Sequence, residues 1–155
     1  MAATTSLRVY TGTNAGTESA AQTAIALLSV DAATVDPAAH QVAPGTNSYE
    51  KWLRLKIDAA NGATVTDFWI ERSGALPAGV VIKLGVTATP ATPTSTTSTV
   101  ATTTMAEGRR YVFDTAALAA NGDATQYLVL QEQVAASAAA GAITQQDFTV
   151  GYSGT

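Results

Sequence analysis

The chain has 155 residues, a formal net charge of −4 and only 13% charged residues, although 46% of its residues are hydrophobic. About a fifth of the chain is alanine, which buries little area, so the larger apolar side chains suffice for one modest core. Eight lysines and arginines are too few for the basic surface of a nucleic-acid-binding protein. No apolar run has the length of a membrane span, and the first six residues do not resemble a secretory signal. We therefore expect neither a nucleic-acid nor a membrane partner.

The inventory of catalytic and metal-binding residues is small. Cysteine is absent, which excludes a disulfide framework, a thiolate nucleophile and a zinc knuckle. The single histidine, His40, has no carboxylate or second histidine at ligand spacing, and the phosphate-binding and hydrolase motifs are missing. The carboxylates are scattered singly, as on a solvated face, although two of them could meet from different strands as a glycosidase pair. The sequence predicts a non-enzymatic protein with no catalytic residues, no cofactor and no metal site.

Alternation of apolar and polar residues with a period of two dominates the chain and predicts about eight antiparallel strands. Two weaker strands are expected at 7–11 and 23–30, followed by stronger strands at 52–58, 66–72, 80–87, 110–114, 127–134 and 148–152. The apolar members of the stronger runs should form one core: Leu53, Leu55, Ile57, Phe68, Ile70, Ile82, Leu84, Leu128, Leu130, Phe148 and Val150.

Turn signals separate the predicted strands and set the fold class. Asn61-Gly62 and Asn121-Gly122 are the strongest, because both residue types tolerate a positive φ. Short strands with regular turns predict an all-β protein, an antiparallel, jelly-roll-like β-sandwich of about eight strands. We expect residues 1–22 to form an N-terminal arm with the first edge strand, and residues 23–155 to form a single sandwich domain. The alanine-rich stretch 132–142 is interpreted as a strand end followed by a loop of small residues.

Two segments, 11–22 and 88–104, have no periodicity and consist mainly of small and polar residues. The second is rich in threonine, and Pro90 and Pro93 favour an extended backbone. It is either a mobile surface connection or an extended arm that lies on a partner. The second interpretation gives these candidate partner contacts: Thr89, Pro90, Thr92, Pro93, Thr94, Thr96, Thr97, Thr13 and Asn14.

Charged residues on the predicted polar sheet faces are interpreted as structural. Arg54 and Lys56 alternate with the apolar residues of their strand, and Asp67 and Glu71 do so in the next strand. Consecutive strands often pair, so we expect these opposite charges to meet across neighbouring strands.

Trp52 and Trp69 fall on the faces opposite the aliphatic rows of their strands. On an exposed sheet face, two tryptophans would form a sugar-stacking platform or a protein-binding hot spot. Alternatively, a loop or a second layer buries them, which is common for tryptophan in small β domains.

The order of hydrophobic blocks at 49–57, 65–70, 79–87, 126–131 and 148–152 resembles small virion structural proteins of tailed bacteriophages, most closely the head decoration, or cement, proteins. This resemblance spans residues 49–152. It implies a β-sandwich or jelly-roll subunit, made in the host cytoplasm and bound to the exterior of the virion capsid.

The same resemblance implies that the protein is non-enzymatic and reinforces contacts between subunits of the major capsid protein. It also implies a homo-oligomer, with a trimer favoured, but it carries over no individual contact residues. The alternative functions are a glycan- or receptor-binding β-sandwich of a phage fibre or tail, or a structural subunit of the neck or tail.

Overall fold

Two antiparallel β-sheets make up the fold of this computed structural model, which describes residues 2–34, 36–139 and 146–154. The strands are β1 Thr4–Thr11, β2 Thr17–Glu18, β3 Lys51–Ala59, β4 Val65–Ser73, β5 Val80–Thr87, β6 Thr103–Thr104, β7 Arg110–Asp114, β8 Tyr127–Val134 and β9 Asp147–Gly154. One sheet has the order β2-β1-β3-β8-β5-β6 and the other β7-β4-β9. The predicted all-β sandwich is confirmed. None of the described helices is long and apolar enough to cross a membrane.

The core lies between the inner faces of the two sheets and contains the predicted apolar rows. Leu53 and Ile57 of β3 and Phe68 and Ile70 of β4 are almost completely buried, because alternate residues of a strand share one face. Leu128 and Leu130 of β8 and Ile82 and Leu84 of β5 belong to the same cluster. The inward row of β9 packs against this core but stays partly exposed. The predicted core is therefore confirmed, with its weakest cover along β9.

The N-terminal region differs from the prediction in two respects. β1 is longer than expected and lies between β2 and β3, so it is an interior strand and the two-residue β2 forms the edge. Residues 23–30 form no strand; single backbone hydrogen bonds hold this segment, such as that from the Tyr49 amide to the Leu28 carbonyl at 2.8 Å. In the alanine-rich stretch, β8 ends at Val134 as predicted, and residues 140–142 lie outside the described part of the chain.

The expected charge pairing between β3 and β4 is wrong, because the two strands belong to different sheets. The Lys56 amine pairs instead with Glu18 of β2, at 2.9 Å. Arg54 donates to the carbonyl groups of Ala124 and Thr125, and Glu71 lies 3.8 Å from Arg110 of β7. The chain crosses between the sheets after β3 so that the apolar row of β4 faces that of β3 across the core.

Candidate functional site

The threonine- and proline-rich segment 88–102, called the tract below, lies on the outer face of the six-stranded sheet. The Glu50 amide donates to the Thr94 carbonyl at 2.8 Å, and the Thr94 amide donates to Glu50 Oε2 at 3.3 Å. On β5, a β-carbon added to Gly85 would lie only 1.8 Å from the Val100 carbonyl oxygen. The tract backbone therefore rests directly on its own domain, and the interpretation as a mobile connection does not fit this geometry.

A buried carboxyl group, that of Glu50, is the main anchor of the tract. Glu50 is 4% exposed, and its Oε2 accepts a hydrogen bond from Trp52 Nε1 at 3.0 Å. Its Oε1 accepts a hydrogen bond from the hydroxyl of Ser98, which is itself buried. The Ser98 hydroxyl in turn accepts from the Val100 and Ala101 amides at 3.1 and 2.8 Å. One carboxyl group thus fixes the backbone of the tract through a series of hydrogen bonds in which each buried donor has an acceptor.

The second anchor is Gln131, which β8 presents on the outer face of the sheet. Its side chain is completely buried. Its Oε1 accepts from the Ser98 amide at 2.9 Å, and its Nε2 donates to the Thr96 carbonyl at 2.7 Å and to the Ser48 carbonyl at 3.1 Å. Because these hydrogen bonds satisfy the buried amide of Gln131, they hold residues 96–98 in one conformation.

A small apolar cluster beneath the tract completes the contact. Trp52 is 1% exposed and clusters with Val129 and with Ala101 of the tract. Tyr127 meets Trp52 and Tyr10 edge-on, with ring centroids 5.5 and 5.3 Å apart. Of the two fates considered for Trp52, burial beneath a loop is confirmed. This tryptophan cannot stack on a ligand while the tract is docked.

The structure brings the two aperiodic segments together, since the Asn14 amide donates to the Thr92 hydroxyl at 2.9 Å. Pro93 is buried, and Pro90 and Thr94 are half-buried, so these three candidate contacts mainly support the tract. The exposed candidates form what we call the tract surface: Thr13, Asn14, Thr89, Thr92, Thr96 and Thr97. No charged residue occurs between positions 88 and 106. The six side chains of the tract surface, five threonines and one asparagine, are themselves uncharged, and hydrogen bonds hold the tract backbone beneath them on the sheet.

Glu50, Ser98 and Gln131 were not among the predicted site residues. Gln131 occupies the polar face of an alternating strand, so the pattern alone predicts a solvated side chain. The one available signal was Gly85, because a glycine inside a strand often marks the close approach of another backbone.

Trp69 lies on the outer face of the three-stranded sheet and is half-buried. A β-carbon at Gly151 of β9 would lie 2.3 Å from its ring, so the indole rests on the glycine backbone. The guanidinium of Arg110 stacks over the same ring at 3.6 Å from its centroid. Both contacts occupy the indole, and with Trp52 buried, the two tryptophans form no common stacking platform.

Four further charged residues are buried, which was also not anticipated: Lys51, Arg72, Asp114 and Glu132. Burial lowers the pKa of the Lys51 amine, which donates to the Ala32 carbonyl at 2.5 Å. Arg72 donates to the Met105 carbonyl at 3.3 Å, and its Nε has no hydrogen-bond partner among the described residues. In the part of the chain that the structure describes, no group of three or more histidine, cysteine or acidic residues could hold a metal ion.

Burial raises the pKa of Glu132 from 4.5 to about 7. Between these values the folded protein holds a proton that the unfolded chain releases, so its stability is expected to fall as the pH rises from about 4.5 to 7. We expect Glu132→Gln to remove about 2 kcal/mol of this pH dependence. Urea denaturation of the wild type and of the variant at pH 5 and pH 8 measures how the free energy of unfolding changes with pH. If the free energy of unfolding changes equally with pH in both proteins, the raised pKa of Glu132 is contradicted.

Comparison with known proteins finds no relative of this chain. No protein-family model, curated protein or solved structure matches the chain. By its fold, the chain belongs to the class of antiparallel β-sandwiches, with sheets of six and three strands.

Proposed function

We propose that this protein is a non-enzymatic structural protein of a bacteriophage virion that decorates the capsid exterior. It stabilises the shell by binding across subunits of the major capsid protein. The resemblance of residues 49–152 to head decoration proteins supports this proposal, and the all-β fold is compatible with it. The single structural observation that carries it is the tract surface, which is exposed, uncharged and fixed in place.

The tract lowers the entropic cost of binding because it is ordered before a partner arrives. A free threonine-rich arm loses backbone and side-chain entropy when it docks on a partner. Here the hydrogen bonds to Glu50 and Gln131 have already ordered the tract. Binding to a shell therefore needs only modest contacts per copy, and their repetition over many sites supplies the stabilisation. A homotrimer at threefold positions, as the resemblance implies, would multiply the contacts further.

Co-sedimentation with capsids stripped of the protein tests the proposal. The wild-type chain is expected to bind to saturation. The double variant Thr89→Arg/Thr97→Arg places two cations on the tract surface, where a partner would have to desolvate them, so we expect its affinity to fall at least tenfold. The matched control, Thr115→Arg/Ala117→Arg, adds the same charge at exposed positions that follow β7.

The control variant is expected to bind as the wild type does. Lack of saturable binding by the wild-type chain would contradict the proposed function. Equal binding by both double variants would contradict the role of the tract surface. A glycan array that gives low-micromolar binding, together with no capsid binding, would favour the fibre or tail alternative.

A further inference from the structure

Four strands form the edges of the two sheets, and β9 differs from the other three. β2 and β6 have two residues each, and β7 has five and carries the exposed charge of Arg110. β9 has eight residues and, within the described part of the chain, pairs only with β4. Residues 148–154 contain no charged residue and no proline. Soluble proteins usually protect edge strands by shortness, charge or proline, whereas β9 is long, has no proline and carries its one charge at its first residue, Asp147.

The side chains of β9 also leave apolar surface incompletely covered. Phe148, Val150 and Tyr152 face the core, yet all three remain partly exposed. In contrast, Phe68 and Ile70 on the neighbouring strand β4 are completely buried. Among the described residues, the outer edge of β9 therefore combines a strand backbone that pairs with no other strand and a partly exposed apolar row. A strand added at this edge would pair with the backbone of β9 and would cover its apolar row.

We propose that β9 pairs with β9 of a second copy of this chain, antiparallel and about a two-fold axis at Val150. Directly opposed residues of an antiparallel pair lie on the same face of the sheet. In this register Val150 opposes itself, and Phe148 opposes Tyr152 of the second copy. The contact thus pairs apolar residues on the core side and joins the two three-stranded sheets into one sheet of six.

The charges and the outer face are compatible with this register. Asp147 opposes Ser153 of the second copy, so the only charge of β9 never faces itself. Thr149 opposes Gly151, beside which the Trp69 ring already lies. The tract surface stays free, because it lies on the outer face of the other sheet. This contact is distinct from the proposed trimer on the shell, and it does not rest on the proposed function.

Light scattering after size-exclusion chromatography tests the pairing with the full chain from micromolar to several hundred micromolar concentration. The wild-type chain is expected to approach twice the chain mass of 15.8 kDa. Ser153→Asp places a carboxylate opposite Asp147 of the second copy at each end of the contact. We expect it to raise the dimer dissociation constant about tenfold or more, and less so in high salt.

The control is Ser153→Lys, which changes the same exposed residue but places an opposite charge beside Asp147. Its dimer dissociation constant is expected to stay equal to that of the wild type or to fall. Unfolding midpoints at low concentration show that both variants fold. A wild-type chain that stays monomeric at several hundred micromolar would overturn the proposal. So would an oligomer that both substitutions weaken equally, since that result indicates another surface.

Discussion

Replacing Glu50 by alanine is expected to lower the free energy of unfolding by about 4 kcal/mol. The substitution removes the acceptor of three hydrogen bonds, those donated by Trp52 Nε1, the Ser98 hydroxyl and the Thr94 amide. Each buried donor that loses its acceptor costs about 1–3 kcal/mol, and partial relaxation of the tract reduces the sum. Chemical denaturation followed by tryptophan fluorescence measures the change, and Trp52 should become exposed in the folded state.

The matched control is Glu107→Ala, at an exposed glutamate just after β6. Its effect is expected to stay within about 0.5 kcal/mol, as is usual for surface substitutions. If Glu50→Ala costs no more than this control, the carboxyl group does not hold the tract on the sheet.

Gly85→Ala is expected to destabilise the protein by about 3 kcal/mol and to detach the tract locally. The added β-carbon would lie 1.8 Å from the Val100 carbonyl oxygen, which belongs to backbone and cannot move as a flexible side chain would. Overpacking of this kind costs about 1–3 kcal/mol or more. Hydrogen exchange should report the detachment at the Val100 and Ala101 amides, which donate to the Ser98 hydroxyl.

Gly122→Ala serves as the control for this second substitution. Gly122 has a φ of +90°, but apart from its chain neighbours no atom of the described residues lies within 4 Å of its added β-carbon. Its cost should therefore be confined to backbone strain of about 1 kcal/mol. Unchanged exchange at Val100 and Ala101 in the Gly85 variant, with a stability equal to that of the Gly122 variant, would show that the tract does not rest on β5.

The core was predictable because burial on one face of a strand imposes alternation on the sequence. The rows containing Leu53, Phe68 and Leu130 carry this pattern and lie in the core as expected. The pattern does not determine which strands share a sheet. Arg54 and Glu71 lie on polar faces of consecutive strands, yet those faces belong to opposite sides of the sandwich. An Asn-Gly turn is compatible with both a hairpin and a crossing between sheets.

The candidate site was less predictable than the core. The tract has no period, so no pattern indicates what it covers, and its docking decides whether Trp52 and Gln131 are buried or solvated. Threonine and proline content did indicate an extended segment. The contact between Asn14 and Thr92 joins the two segments that the sequence singled out separately. Long-range backbone contacts of this kind depend on the whole fold and leave only small local traces, such as Gly85.

A cryo-electron microscopy reconstruction of stripped capsids incubated with the wild-type chain tests the central claim most directly. We expect added density on the capsid exterior that fits the β-sandwich. In that density, the tract surface should face the shell across boundaries between major capsid protein subunits. Capsids without added density, or density in which the tract surface faces solvent, would contradict the account.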